Sequence, residues 1–367
     1  MGMHDVARPR RRRREAWPKR ADHFEPTGVC SNTKGLRIPY HNKADGFMAA
    51  LVLTLNQVKF CELHDCQPQV QWGPFPACKY AGVRFPGRTP FFDAKHGGNA
   101  FEYFFKPVCH GHQRAQEAPP MLSCEQREKV HRVLPWAVRT YYYGSGRVAR
   151  PADNSTQSFD EAWYAAQRAE GSRLVHRYLE LQPHILAQLA DLEHQLLGRG
   201  HVGAVAHARG PVLGVHLRGT DKGRYMQTAG SGHPVGPAEY EPYVRAFLAA
   251  HGANASVFVA TDSPSYLADV MRRWPADRLQ FRHEVLRHES NVAFVGGAAS
   301  KANNYRKGEE VLLDALLLSR CDFLLHAASG VAELAIYWNP RLHLQSVHLQ
   351  YTQGRQHPPW MPRAVLP

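Results

Sequence analysis

The chain predicts an α/β fold whose C-terminal half holds a parallel sheet covered by helices on both faces. Three observations carry this. From residue 211 onward, short apolar runs alternate with amphipathic stretches of roughly 10–15 residues, the signature of βαβ units. Hydrophobic residues make up 44% and charged residues 21%, which are globular values and exclude a wholly disordered chain. The length of 367 residues favours two domains, each able to bury its own core.

Residues 1–28 read as a basic tail. Residues 1–20 hold eight Lys and Arg, including the run Arg10 to Arg14, against Asp5 and Glu15. Such a run repels itself and stays solvated. Nucleic-acid contact, nuclear targeting, a cytosolic flank or no partner at all are each compatible with it. The chain's net charge of +13 suits an anionic substrate, and a nucleic-acid partner is not expected.

Residues 29–205 form an expected first domain rich in Gly, Pro, aromatics and Cys. Asp45-Gly46 opens a buried helix over 47–58, followed by a strand over 70–72. A helix over 125–138 is broken by Pro135, and two helices fill 159–197, punctuated by Gly171 and Pro183. Residues 201–210 read as a linker. The second domain, 206–367, has strands over 211–217, 256–260, 279–282, 322–326 and 342–347. Helices are expected over 237–251, 263–274, 308–320 and 329–338, with Pro or Ser at several starts.

The longest apolar run, Phe47 to Leu55, is nine residues, whereas a bilayer span needs roughly 20, so no transmembrane segment is expected. Arginine stands where a signal peptide would be apolar. Six of seven cysteines, Cys30, Cys61, Cys66, Cys78, Cys109 and Cys124, share one region, which suits either a disulfide set or reduced thiols. Cys61, His64 and Cys66 with His110 or His112 have only half of a zinc pattern, so no metal is expected. Sequons at Asn154 and Asn254 and the cysteines point to the secretory lumen; the lack of a readable signal points to the cytoplasm.

In open parallel sheets ligands bind beyond the carboxyl ends of the strands. There the chain carries His216-Leu-Arg218-Gly-Thr-Asp221-Lys222, then Thr261-Asp262-Ser263-Pro, then Ala328-Ser329-Gly330. Arg218 offers a planar fork for phosphate. Asp262 suits a ribose hydroxyl or base amino group, or else it or Ser263 caps the next helix. Ser329 is a helix cap, a phosphate contact or both. Asp314 lies within Val-Leu-Leu-Asp-Ala-Leu-Leu-Leu, where a buried acid needs a ligand or an internal donor. Cations for a diphosphate and acids for base and ribose describe a nucleotide-sugar site. Neither a phosphate-binding P-loop nor a dinucleotide glycine fingerprint is present.

These segments resemble the α1,6-fucosyltransferases and their bacterial nodulation relatives. Residues 216–222 are similar to that family's His-x-Arg-Arg-Thr-Asp-Lys, and residues 259–265 to its Ala-Thr-Asp-Asp-Pro-Ser. Residues 312–330 are similar to its Leu-Asp and Asp-Phe-Leu segments followed by Ser-Ser-Gln. Asp45-Gly46-Phe47 stands where the family has a Gly-Phe-Gly loop. The resemblance implies a two-domain glycosyltransferase-B-like fold, with residues 29–205 on the acceptor side and a Rossmann-like nucleotide-binding C-terminal half. It implies GDP-fucose as donor, inversion at the anomeric carbon, no metal and no other cofactor, a glycan or glycoprotein acceptor, and a Golgi or secretory setting. Arg218 would hold the β-phosphate, His216 and Asp314 the guanine, and Ser329 with Gly330 the phosphates. Asp221, Lys222 and Asp262 would support the site, Gly46 would belong to the glycine loop, and Asp221 or Glu239 would take the acceptor proton. The chain has Gly219 in place of the family's second Arg and Ala-Ser-Gly in place of Ser-Ser-Gln.

Overall fold

A computed structural model describes residues 35–39, 46–63, 67–73, 78–80, 83–85, 91–108, 148–149, 156–157, 161–198, 210–219, 235–288, 303–350 and 357–361. The basic tail, the expected helix over 125–138, Asn154 and residues 201–209 lie outside this set.

In chain order the elements begin with β1 (Gly35–Pro39), α1 (Phe47–Leu63) and β2 (Gln67–Gln71), in which β1 and β2 pair in parallel across the helix. Two short antiparallel pairs follow, β3 (Cys78–Tyr80) with β4 (Val83–Phe85) and β5 (Val148–Ala149) with β6 (Thr156–Gln157). Next come α2 (Glu161–Tyr178) and α3 (Pro183–Leu192), whose extra turn ends at Gly198 in the left-handed region, φ 62°. The remainder alternates: β7 (Val212–Leu217), α4 (Pro237–His251), β8 (Ser256–Thr261), α5 (Pro264–Arg273), β9 (Leu279–Phe281), α6 (Asn304–Ser319), β10 (Phe323–His326), α7 (Gly330–Trp338), α8 (Leu342–Gln345) and β11 (Ser346–His348).

The five C-terminal strands form one parallel sheet in the order β9-β8-β7-β10-β11. Counted within the sheet this is 3-2-1-4-5, so the winding reverses between β7 and β10, which is where doubly wound sheets open a ligand crevice. Alternation along the strands separates the two faces. Leu213, Val215, Leu217, Val257, Val259, Leu325 and Val347 pack with Tyr240, Val244 and Phe247 of α4 and Val270 of α5. Val212, Phe258, Ala260 and Leu324 pack with α6 and α7. Each large apolar side chain buried here contributes about 1.5–3 kcal/mol of transfer free energy.

The second core does not stop at the sheet. Phe47, Leu51 and Leu55 of α1, Trp72, Phe101, Phe104 and Leu174 of α2 belong to the same apolar cluster as Leu313, Leu317, Ala335 and Tyr337. Helix α2 lies directly on α7. Three local expectations change as a result. Gly171 does not end a helix: α2 runs through it, because the ring of Tyr337 comes within 2.8 Å of where its Cβ would stand. The helix expected from Gly308 begins at Asn304, and Gly308 is packed under Phe104. The strand expected over 342–347 is α8 followed by the three residues of β11.

One buried ion pair joins α2 to α7. Arg168 donates from Nη2 to Glu333 Oε1 at 2.6 Å and from Nε to Oε2 at 3.1 Å, and its Nη1 donates to His343 Nδ1 at 3.0 Å. Both charged side chains are almost fully buried. A second network ties α1 to α2 nearer the surface: Arg173 bridges Glu62 and Glu170, and Lys59 reaches both. Cys61 and Cys321 are buried with free thiols. Among the described residues no helix is long and apolar enough to cross a membrane.

Arg168→Ala leaves Glu333 as an unpaired buried charge and is expected to cost about 3–5 kcal/mol in denaturant unfolding. Replacing both, Arg168→Met with Glu333→Leu, is expected to recover most of that loss. The Arg173 hydrogen bonds hold the Glu62 and Glu170 carboxyls down at about 2 from 4.5, against the opposing effect of burial. Their contribution is therefore complete above about pH 4.5 and is lost as pH falls towards 2. Glu62→Gln is expected to flatten that acid limb of the stability curve.

Candidate functional site

The carboxyl ends of β7, β8 and β10 meet at the reversal in strand order. At the end of β7, His216 is buried on the face turned to α6 and α7. Its carbonyl accepts the hydroxyl of Tyr240, fully buried in α4, at 3.0 Å. The same phenol hydrogen-bonds the backbone of Ala327, and burial pushes its pKa well up. One neutral tyrosine thus ties together the ends of β7 and β10.

Arg218 and Gly219 leave β7 together. Asp262, just past β8, accepts the Gly219 amide at 2.9 Å with Oδ1, and Oδ2 lies 3.6 Å from Arg218 Nε. The Asp262 carbonyl accepts the amide of His288 at 3.0 Å. Asp262 therefore binds three segments to one another. It is not the helix cap; Ser263 is, accepting the Tyr266 amide at 3.2 Å. Gly219 stands where the resembled family has its second Arg, and no side chain fits there. A Cβ would lie 2.6 Å from Ser263 Cβ and 3.3 Å from the Tyr266 ring.

After β10, Ser329 caps α7 by accepting the Val331 amide at 3.2 Å, and Gly330 is the first helical residue. Ser329 is buried, and Gln350 just past β11 accepts the Ala328 amide at 2.9 Å. The amides at this helix start carry the partial positive charge that favours an anion.

Glu239 and Asp314 both have partners. Glu239 sits in the first turn of α4 and accepts the Gly236 amide at 2.8 Å, a capping-box contact. Asp314 accepts Arg282 Nη1 at 3.0 Å, so its internal donor is an arginine directly after β9. Burial raises the Asp314 carboxyl, and the charge and hydrogen bond of Arg282 oppose this. Gly46 precedes α1, where its carbonyl accepts the Ala50 amide at 3.1 Å; the adjoining Phe47 packs near Gly308 of α6. Asp221 and Lys222 lie outside the described residues. The fold thus brings His216, Arg218, Asp262, Ser329 and Gly330 to neighbouring strand ends, and Asp314 on α6 lies near enough to Asp262 for the two charges to interact.

Four contributors escaped the sequence reading. Tyr240 and Gln350 act through long-range hydrogen bonds, with no local motif. Arg282 follows a strand end, so the rule that selected Arg218 also points to it. His326 is the fourth: it is the register partner of both His216 on β7 and His348 on β11, which sets three imidazoles abreast on one face. The His326 and His348 rings lie 4.8 Å apart at 70°.

No protein-family model matches the chain, and no curated protein does. Among solved structures the chain is similar to NodZ α-1,6-fucosyltransferase soaked with GDP-fucose, at 16% identity and a TM-score of 0.45, over 84% of this chain and 94% of that one. It is similar to the fucosyltransferase NodZ from Bradyrhizobium at 15% identity and a TM-score of 0.46, over 84% and 94%. It is similar to POFUT1 in complex with GDP-fucose at 10% identity and a TM-score of 0.42, over 89% and 97%.

Gly219→Ala is expected to force the β7 loop off the start of α5 and to cost about 1–3 kcal/mol. Thermal melting would register this as a drop of several degrees; an unchanged melt would mean that the loop has room to spare.

Proposed function

We propose that this chain is a fucosyltransferase-like glycosyltransferase that takes GDP-fucose as donor and a glycan or glycoprotein hydroxyl as acceptor. The reading is supported by one convergence. Three motifs spread over more than 100 residues, His216 to Gly219, Asp262, and Ser329 with Gly330, meet at adjoining strand ends around the sheet's point of reversal. Locally each motif has a bland explanation as a turn or cap; together they put a cation and a helix start where a diphosphate would lie. In this reading residues 206–367 are the Rossmann-like half of a glycosyltransferase-B-like pair, and residues 29–205 face the acceptor.

The chemistry is one inverting displacement. The acceptor oxygen attacks C1 of the sugar, the C1–O bond to phosphate breaks, and GDP departs with the bonding electrons. Arg218 and the positive end of α7 stabilise the charge that grows on the leaving diphosphate. Arg218 is already aimed by Asp262, so little reorganisation is needed. The proton of the acceptor goes to a carboxylate, Asp221 or Glu239; Glu239 would first have to release the Gly236 amide. No metal is required in this scheme, and the setting is the Golgi or another secretory lumen. That engagement of Glu239 favours a second reading, in which the chain binds a nucleotide sugar without turning it over.

Thermal melting of the full chain with GDP, GDP-fucose, UDP and CMP, each with and without EDTA, tests the donor class. Ligand at about 100 times its dissociation constant stabilises by about 2.7 kcal/mol, which is a shift of several degrees. The expected result is a shift with GDP and GDP-fucose alone, insensitive to EDTA, and lost in Arg218→Ala, whose ligand-free melt stays close to wild type because a partly exposed ion pair 3.6 Å apart contributes little. Fucose transfer to a glycoprotein would then separate the enzyme from the binding protein. A shift with no nucleotide, or with UDP alone, would overturn the proposal.

A further inference from the structure

We infer that Arg282 is a positioning residue for nucleotide-base recognition: it fixes one oxygen of Asp314 and leaves the other to the base. This rests on the nucleotide reading above and adds to it a residue outside all three motifs.

The geometry is specific. Arg282 emerges from β9 and its Nη1 is shared between Asp314 Oδ1 at 3.0 Å and the Glu310 carbonyl at 2.9 Å, both on α6. The arginine is itself held: Arg287 Nη2 donates to its carbonyl at 2.6 Å. The following loop is pinned to α6 by the Leu286 amide, which donates to Glu310 Oε2 at 2.8 Å, while Arg306 Nε donates to Oε1 at 2.6 Å. No other side chain among the described residues bonds Asp314, so Oδ2 keeps its acceptor capacity. The Asp314 and Arg282 side chains are only 14% and 13% exposed, enough for contact at one edge and too little for solvent to screen the pair.

A carboxylate oriented in this way accepts the N–H donors on the Watson–Crick edge of a guanine. It does so only while ionised. Burial and the nearby Asp262 charge push its carboxyl up, whereas Arg282 and then Arg287 pull it down. Glu310, one turn away on α6, is also pushed up by burial, held in check by the Leu286 amide and Arg306. Arg282 is therefore the group that aims this nearly buried acid and most opposes its protonation. Without it Asp314 takes up a proton at a higher pH and loses the acceptor that the base needs.

The test is the dissociation constant of GDP for the full chain between pH 5.5 and 8, in wild type, Arg282→Gln, Arg282→Lys and Asp314→Asn. For Arg282→Gln the acid limb of binding is expected to move up by about one pH unit, giving about tenfold weaker binding on that limb. Arg282→Lys restores most of the wild-type profile. Asp314→Asn binds weakly without the added acid limb, and Arg282→Gln placed on top of it causes no further loss. An Arg282→Gln profile that superposes on a GDP-binding wild type overturns the inference and leaves the nucleotide reading intact. Wild-type protein that fails to bind GDP at any pH overturns both. Should Arg282→Gln fail to fold, by circular dichroism, Asp314→Asn decides alone: undiminished GDP affinity overturns the inference.

Discussion

The pairing of Arg168 with Glu333 is the constraint on which the rest of the arrangement depends. It is bidentate, almost fully buried and shared with His343, and it locks α2 across α7. A pair of this kind adds little net stability compared with apolar residues of the same size, yet removing one partner is severe. Its effect is geometric. Helix α7 can lie in only one rotation about its axis if Glu333 is to meet Arg168 and Tyr337 is to lie on Gly171. That rotation sets where the helix start, with Ser329 and Gly330, points.

Polar groups at the strand ends satisfy one another in the same economical way. Asp262 accepts from the Gly219 amide and faces Arg218, Tyr240 joins the ends of β7 and β10, and Asp314 is met by Arg282. Each link crosses between elements distant in sequence, so the fold itself orients these groups. Preorganisation matters because groups already oriented pay no reorganisation cost when charge develops. Gly219 belongs to this logic: the space that an Arg would need is filled by Ser263 and Tyr266.

Much of the fold was legible in the residues themselves. Four of the five strands were marked by short apolar runs, and helix starts by Pro237, Ser263 with Pro264, and Ser329, because capping and periodicity are local properties. The strand-end rule then selected His216, Arg218, Asp262, Ser329 and Gly330 without coordinates. Gly171 was misread as punctuation, and a helix that begins at Asn304 was begun at Gly308, for a converse reason. A glycine that ends a helix and a glycine that admits a neighbouring ring look alike until the ring is in place. His326 ended its expected strand and His348 lay one residue past the next, but only the register β7-β10-β11 sets them beside His216.

The sequence by itself determined an α/β chain with a parallel C-terminal sheet, the strand ends that carry polar chemistry, and the resemblance those ends bear to a fucosyltransferase family. The tertiary structure alone decided the strand order, the passage of the core from α1 and α2 into α6 and α7, and the partners of Glu333 and Asp314. The physical reason is range. Propensity, capping and amphipathic period act over a few residues, whereas the partners of Glu333, Asp314 and Asp262 lie tens to more than 100 residues away in the chain, and only folding brings them into contact.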